Sequence, residues 1–226
     1  MKMTLEELKK ELQKNVRPNA LEGMARFGID VSKAYGVSIP VQRKLAKQIG
    51  KDHKFAQELW NAGIHETRII ASMIDEPEKV TKSQMDKWAN DFYSWDVCDQ
   101  SCNNLFVYTP FAHEKAMKWC DSKKEFVKRA GFTMMAVIAV HDKQATDKDF
   151  EKFFSKIKEA STDERNFVKK AVNWALRQIG KRNLTLHQKA LTVAFEIGAV
   201  DSKSAKWIAK DAIRELTDPK IISRIK

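Results

Sequence analysis

The chain has 226 residues, of which 43% are hydrophobic, enough to bury a core as one domain or a short repeat array, which argues against disorder. Lys and Arg number 41 against 30 Asp and Glu, giving a formal net charge of +11. This excess favours a polyanionic partner such as nucleic acid, and the alternative interpretation is a charge that serves solubility alone.

The cysteines and the apolar runs indicate which kinds of protein the chain is not. Cys98, Cys102 and Cys120 are odd in number and include no CxxC pair, so we expect reduced thiols and neither a disulfide framework nor a zinc site. The histidines are dispersed and no Gly-rich phosphate loop is present, so no metal and no cofactor is predicted. No apolar run reaches the roughly 18 to 20 residues that span a bilayer, and none at the N-terminus resembles a signal peptide. We therefore expect a cytoplasmic monomer with no membrane partner.

Helical patterns recur along the chain. The first segment, MKMTLEELKKELQKN, alternates Leu with charged residues at helical period, and Thr4 and Glu7 stand at the spacing of a capping box. Gly and Pro are scarce, at eight and five, while segments rich in Lys, Glu, Ala and Leu follow one another at the same period. These features predict an all-α protein.

Four segments share a coarse pattern: HETRIIASMI, EFVKRAGFTMM, RNFVKKAVNWAL and SAKWIAKDAI. Each has a polar or acidic start, and then a basic and a small residue inside an apolar run. Ala71, Ala130, Ala171 and Ala209 mark equivalent points at intervals of 59, 41 and 38 residues. Periods of roughly 30 to 47 residues are typical of α-solenoids of the HEAT or armadillo sort. We predict one solenoid domain over residues 1–226, curved around a concave basic groove that brings distant residues together.

The stretch FYSWDVCDQS, residues 92–101, holds the first candidate site residues. If it is helical, Trp95 and Asp99 are four residues apart and stack on one face. Asp96 lies about 100° away around the same helix, so Asp99 is the candidate acid.

The later repeats supply cationic and aromatic candidates. Arg129 and Lys170 hold matching places directly before the equivalent alanines of their segments. Trp174 and Arg177 are three residues apart and again share one helical face.

The motifs SWDVCD, FVKRA and VNWALR, in this order, and MARF at residues 24–27 resemble the HEAT-like DNA alkylation repair family, the AlkD-type alkylpurine DNA glycosylases. The resemblance covers most of the chain, from about residue 20 to about residue 200. It implies that Trp95 is an aromatic wall, Asp99 the catalytic carboxylate, Arg129 a DNA ligand, and Trp174 and Arg177 a second wall and DNA ligand. The chain departs from the family in two places: it reads Tyr93-Ser94-Trp95 where the family often has a doubled tryptophan, and it has Phe27 where the family has a tyrosine whose hydroxyl could touch DNA.

The implied activity is hydrolysis of the N-glycosidic bond of cationic N3- or N7-alkylated purines in double-stranded DNA. Such a base already carries the positive charge of a good leaving group, so one carboxylate suffices where other glycosidases use two. Asp99 would offset the oxocarbenium charge and orient water, and Trp95 and Trp174 would flank the cationic lesion. The resemblance also implies an open groove that grips the backbone without enclosing the base.

Further cations would contact phosphates beside Arg129 and Arg177, fixing register without reading sequence: Lys128, Lys169, Lys170 and Lys181. Taken alone, Asp99 would be a helix-surface acid or salt-bridge partner, and Arg129 and Arg177 would be solvated charges on the repeat face or members of inter-helix ion pairs. The tryptophans outside the motifs are predicted to be packing residues: Trp60, Trp88, Trp119 and Trp207. The alternative function is a noncatalytic HEAT-like module that binds nucleic acid or protein.

Overall fold

The structure, a computed structural model, describes residues 3–225, and these form helices joined by short loops, with no β-strand in that range. The chain divides into two compact units, Met1–Thr109 and Pro110–Lys226. The all-α prediction is confirmed. A single domain over residues 1–226 stays a prediction.

The first unit contains seven α-helices and two short 3₁₀ turns. The helices are α1 (Leu5–Lys14), α2 (Ala20–Arg26), α3 (Ile39–Ile49), α4 (His53–Asn61), α5 (His65–Ile74), α6 (Lys82–Asn90) and α7 (Trp95–Asn104), and the turns are Pro77–Lys79 and Phe106–Tyr108. Helix α5 is central, since α3, α4 and α7 all pack against it. In the core beside it the rings of Trp60 and Trp88 stack with centroids 3.9 Å apart, which confirms both as packing residues.

Local capping fixes the start of α1 as the sequence predicts. The backbone N–H of Glu7 donates to Thr4 Oγ1 at 3.3 Å, and the backbone N–H of Thr4 donates to Glu7 Oε2 at 2.8 Å. Leu8 and Leu12, one turn apart, are the buried residues of this helix. The capping box and the amphipathic face are both confirmed.

A buried carboxylate holds the loop that leads into α3. Glu66 is fully buried and accepts hydrogen bonds from the backbone N–H groups of Tyr35, Gly36 and Val37. Gly36 has a φ of +80°, and a Cβ there would lie 2.9 Å from the Cβ of Ala20. The loop therefore packs closely on α2, the helix that leads into Phe27.

The second unit contains seven further helices: α8 (Ala112–Trp119), α9 (Glu125–His141), α10 (Asp147–Ala160), α11 (Asn166–Gly180), α12 (Leu184–Gly198), α13 (Lys203–Leu216) and α14 (Pro219–Ile222). Helix α9 packs against α8 and α11, and α12 packs against α13. A Cβ at Gly131 of α9 would lie 2.3 Å from the backbone nitrogen of Cys120, so only glycine permits this approach of α9 to α8. The equivalent alanines of the four repeated segments are buried, as expected of shared packing positions.

The thiols and the apolar segments are internal. Cys98, Cys102 and Cys120 are buried thiols that are not joined in disulfides, and burial raises the pKa of Cys120 to about 12. Within the described residues, every helix is too short or too polar to cross a bilayer. No three His, Cys, Asp or Glu side chains in residues 3–225 are grouped so that they could hold a metal ion.

Candidate functional site

Helix α7 carries the two central candidates. It begins at Trp95, directly after the N-cap Ser94, so Trp95 and Asp99 lie one helical turn apart. Both side chains are partly exposed, whereas Val97 and Cys98 are buried toward the core. The shared face that the sequence predicts for Trp95 and Asp99 is confirmed, since the stretch is helical.

A backbone contact from the loop after α2 orients the indole of Trp95. Its Nε1–H donates to the carbonyl oxygen of Phe27 at 3.0 Å, across 68 residues of sequence. The ring of Phe27 is itself 74% exposed. A cavity of about 680 Å³ lies beside these two rings, with Met24 and His65 also in its lining. The loop therefore supplies a carbonyl oxygen that fixes one wall of the candidate site.

A buried polar network ties the start of α7 to α5. His65 Nε2 and Asp96 Oδ2 lie 2.8 Å apart, and His65 Nδ1 lies 3.0 Å from the Tyr93 hydroxyl oxygen. The hydroxyl of Ser94 donates to Asp96 Oδ1, and so does the backbone N–H of Val97. Burial acts to raise the pKa of Asp96, but these hydrogen bonds outweigh it and hold that pKa below its ordinary value.

This network involves residues for which the sequence predicts no role. From the sequence, Asp99 and not Asp96 is the candidate acid, and no histidine is predicted to have a functional role. Tyr93 and Ser94, where the chain departs from the family pattern, are the partners that complete the contacts of His65 and Asp96. Tyr93 and Ser94 therefore give polar support to the start of the helix that carries Trp95 and Asp99.

In the second unit, Arg129 and Lys128 make internal contacts. Arg129 is only 6% exposed, and its Nη1 donates to the carbonyl oxygen of Phe167, at the start of α11, at 2.6 Å. Lys128 Nζ lies 3.0 Å from Asp163 Oδ2. Hydrogen bonds from Arg165 and Lys128 hold the pKa of Asp163 well below its usual range, so this carboxylate stays charged.

Arg177 in the last turn of α11 and Lys181 at its C-cap share an acidic partner on α13. Arg177 Nη1 contacts Glu215 Oε2, and Lys181 Nζ lies 2.6 Å from Glu215 Oε1. Burial acts to raise the pKa of Glu215, but the two cations outweigh it and lower that pKa. For Arg177 the structure thus shows the inter-helix ion pair that the sequence left open as an alternative. Trp174, one turn earlier, is half-buried.

Lys169 and Trp207 form a contact that the sequence does not predict. Lys169 Nζ lies 5.3 Å from the ring centroid of Trp207, and Lys170 beside it is exposed. The prediction of Trp207 as a packing residue was wrong, since its side chain is 40% exposed. The reason is its place on α13, which turns Ile208 inward instead. Trp119, at 3% exposure, is confirmed as a packing residue.

The candidates therefore fall into two groups. Trp95, Asp99 and Phe27 belong to the first unit, and the other candidates, Arg129, Trp174, Arg177, Lys128, Lys169, Lys170 and Lys181, belong to the second. The gathering of both groups in one groove stays a prediction.

Comparison with known proteins gives a consistent result. The model of the family described as "DNA alkylation repair enzyme" matches residues 8–216. The uncharacterised protein Lin0241 of Listeria innocua is 25% identical over 217 residues, covering 93% of this chain and 95% of that protein. The uncharacterised protein Lmo0209 of Listeria monocytogenes is 23% identical over 202 residues, covering 88% of each.

A solved structure is similar over nearly the whole chain. It is described as "a new family of proteins related to the HEAT-like repeat DNA glycosylases with affinity for branched DNA structures". The TM-score is 0.77 and the identity 22%, with 94% of this chain and 95% of that chain covered. The likeness confirms the predicted fold of HEAT-like helical repeats, and at this identity it extends to the fold alone.

Proposed function

The chain belongs to the DNA alkylation repair enzyme family, and on that premise we propose that it hydrolyses the N-glycosidic bond of cationic N3- and N7-alkylated purines in duplex DNA. The observation that carries the proposal is the placement of Trp95 and Asp99 on one partly exposed face of α7. A carboxylate one turn from an oriented indole is suited to a cationic sugar and a cationic base.

The chemistry requires little of the protein beyond this pair. Alkylation at N3 or N7 places a positive charge on the purine, so the departing base needs no general acid. Asp99 stabilises the positive charge that develops on the deoxyribose and orients the attacking water. The oxygen of that water forms the new bond to C1′, and the bond from C1′ to the purine nitrogen breaks. The electron pair of the broken bond neutralises the base, and one proton of the water passes to the solvent.

The indole supplies selectivity for charged lesions. A cation over the face of Trp95 or Trp174 gains roughly 0.5 to 2 kcal/mol, which a neutral purine does not. Phe27 contributes through its carbonyl oxygen, which holds the Trp95 ring in one orientation. The missing tyrosine hydroxyl at this position therefore leaves the orienting contact in place, because that contact comes from the backbone.

The cations of the second unit are proposed as phosphate ligands, and they differ in the contacts that they already make. Lys170 is exposed and can meet a phosphate directly. Arg177 and Lys181 are already paired with Glu215, so a phosphate must compete with that carboxylate for them. Arg129 is buried, and its hydrogen bond to the carbonyl oxygen of Phe167 supports the start of α11 whether or not it also contacts DNA.

The proposal is tested by excision assays with the wild-type chain on duplexes that carry one N7-methylguanine or one N3-methyladenine. Release of the modified base and formation of an abasic site are expected. The matched control is the same duplex with an unmodified guanine, which should stay intact because its base is a neutral, poor leaving group. Intact lesion duplexes after prolonged incubation would contradict the proposal.

A noncatalytic DNA-binding module is the second candidate. The affinity for branched DNA structures ascribed to the family of the similar solved protein favours it. Tight binding of lesion or branched DNA with no base release would favour the module.

A further inference from the structure

The exposed face of α13 combines cations with an aromatic ring. Lys203, Trp207, Lys210 and Arg214 follow one another at intervals of four, three and four residues, which places them on one stripe of the helix. All four side chains are exposed. The opposite face of α13 is the buried one, formed by Ser204, Ala205, Ile208, Ala209, Ala212 and Leu216.

The second unit holds this helix in a fixed position. The side chain of Ser202 accepts a hydrogen bond from the backbone N–H of Ala205 and so caps the N-terminus. The hydroxyl of Ser204 donates to the carbonyl oxygen of Asp163 at 2.9 Å, and its backbone N–H donates to Glu164 Oε1 at 3.1 Å. The stripe is therefore presented by a rigid element rather than by a mobile tail.

The ring of Trp207 lies among positive charges. Lys169 of α11 places its amine 5.3 Å from the ring centroid, and Lys203 and Lys210 flank the ring one turn away on either side. Lys203 and Lys210 form no ion pair with any residue from 3 to 225, whereas Arg214 pairs with Asp211. Two cations without acidic partners thus stand on either side of an exposed indole.

We propose that this stripe binds an unpaired DNA base, with Trp207 stacked on the base and Lys203 and Lys210 in contact with the flanking phosphates. Seven residues of helix separate the two lysines by about 10 Å along the axis, with the ring between them. Stacking on an exposed aromatic ring together with backbone cations is the usual way in which proteins bind single strands without regard to sequence. A duplex keeps its bases stacked internally and offers only its phosphates to the lysines.

This inference rests on the DNA-binding half of the proposed function and not on base excision. It assigns to residues of the second unit a contact with DNA, in addition to the one proposed for Trp95 and Asp99 of the first unit. The partner is a strand with at least one unstacked base, such as a single strand, a flap or a branch point.

The test compares the affinity of the full chain for an undamaged single strand and for a duplex of the same length, by fluorescence anisotropy. Trp207→Ala should weaken single-strand binding by roughly 5- to 160-fold, the range seen when a stacking ring is removed, and leave duplex binding nearly unchanged. Trp207→Phe keeps a ring and should restore most of the affinity. The matched control is Phe195→Ala, which truncates a ring that is 61% exposed on α12 of the same unit.

The lysines provide a second readout. For the single strand, Lys203→Gln and Lys210→Gln should each make the negative slope of log affinity against log salt less steep by about 0.7. This is the value expected when one phosphate loses its cation. An unchanged single-strand affinity of folded Trp207→Ala would overturn the proposal, as would an equal loss with Phe195→Ala. If Trp207→Ala does not fold, the test is the quenching of Trp207 fluorescence when the single strand is added. This quenching is the difference between the fluorescence changes of wild type and Trp207→Phe. No quenching would overturn the proposal.

These outcomes are distinguishable from those of the proposed function. The oligonucleotides carry no lesion, so no excision enters the measurement. If the wild-type chain excises no lesion but Trp207→Ala weakens single-strand binding, only the glycosylase proposal is contradicted. If the chain excises lesions but Trp207→Ala does not change single-strand binding, only the proposed role of the stripe is contradicted.

Discussion

Replacing Asp96 with alanine is expected to destabilise the first unit and to slow base excision, although Asp96 is not the proposed catalytic acid. Its carboxylate accepts hydrogen bonds from His65 and Ser94 and thereby fixes the first turn of α7 against α5. Trp95 and Asp99 lie on that helix, so loosening its start moves both.

The size of the effect follows from the hydrogen bonds that the substitution removes. A hydrogen bond to a charged group contributes roughly 1.5 to 3 kcal/mol, so removing the bonds from His65 and Ser94 lowers the free energy of unfolding by about 3 kcal/mol or more. Most of this cost is the burial of donors left without an acceptor. His65→Ala should cost a similar amount, and the double variant much less than the sum, with a coupling of about 1.5 to 3 kcal/mol.

The assay is urea denaturation followed by circular dichroism and by tryptophan fluorescence. Two probes are used because a chain of two compact units need not unfold in one two-state transition. Glu58→Gln is the matched control, because Glu58 is an exposed acid on α4 of the same unit, and its free energy should stay within about 0.5 kcal/mol of wild type. A loss below about 1 kcal/mol for Asp96→Ala, or a coupling near zero with His65, would contradict this role of the Asp96 carboxylate.

Three further changes have defined outcomes. The pKa of Asp96 is lower in the folded than in the unfolded protein, so its stabilising effect should be fully present above about pH 5 and lost as the pH falls through the folded pKa. In urea titrations from about pH 7 to pH 3, the free energies of unfolding of wild type and Asp96→Ala should therefore converge. Gly131→Ala should cost about 2 kcal/mol or more, because its Cβ would meet the backbone of Cys120, whereas Gly23→Ala, with nothing within 4 Å, should stabilise α2 by roughly 0.5 to 1 kcal/mol. Glu215→Gln should raise the affinity for undamaged duplex and steepen its salt dependence by about one unit or more, since the two cations it holds become available to phosphates.

Opposite results would count against each step. A constant difference between wild type and Asp96→Ala across the pH range would show that the carboxylate gains nothing from its charge. Equal effects of alanine at positions 131 and 23 would contradict the close approach of α8 and α9. Unchanged or weaker DNA binding by Glu215→Gln would exclude Arg177 and Lys181 as phosphate ligands.

The features that the sequence predicts correctly are those encoded within one or two helical turns. The capping box of Thr4 and Glu7 and the shared face of Trp95 and Asp99 depend on residues three and four positions apart, where helix geometry decides the contact. The buried alanines of the repeated segments belong to the same class, because they follow from the apolar period.

The missed features join residues far apart in the chain. His65 and Asp96 are separated by 31 residues, and the Trp95 indole reaches a backbone carbonyl 68 residues away. Local periodicity carries no information on such pairs. The pair of Arg177 and Glu215 differs, since its 38-residue separation equals the interval between two equivalent alanines. Opposite charges one repeat apart are a signal that could have predicted it.

Trp207 illustrates a different error. Its residue type favours burial, but the apolar period of α13 assigns the inward positions to Ala205, Ile208 and Ala212. The period, and not the hydrophobicity of the single residue, decides which side chain faces solvent.

Asp99 of α7 is the residue on which the proposed mechanism depends most, and its direct test is the single-turnover rate of base release by Asp99→Asn. On duplex DNA with one N7-methylguanine, we expect a rate about 100- to 1,000-fold below wild type, because an isosteric amide cannot offset the oxocarbenium charge. Affinity for the same duplex should be retained. Equal rates for Asp99→Asn and wild type would contradict the mechanism.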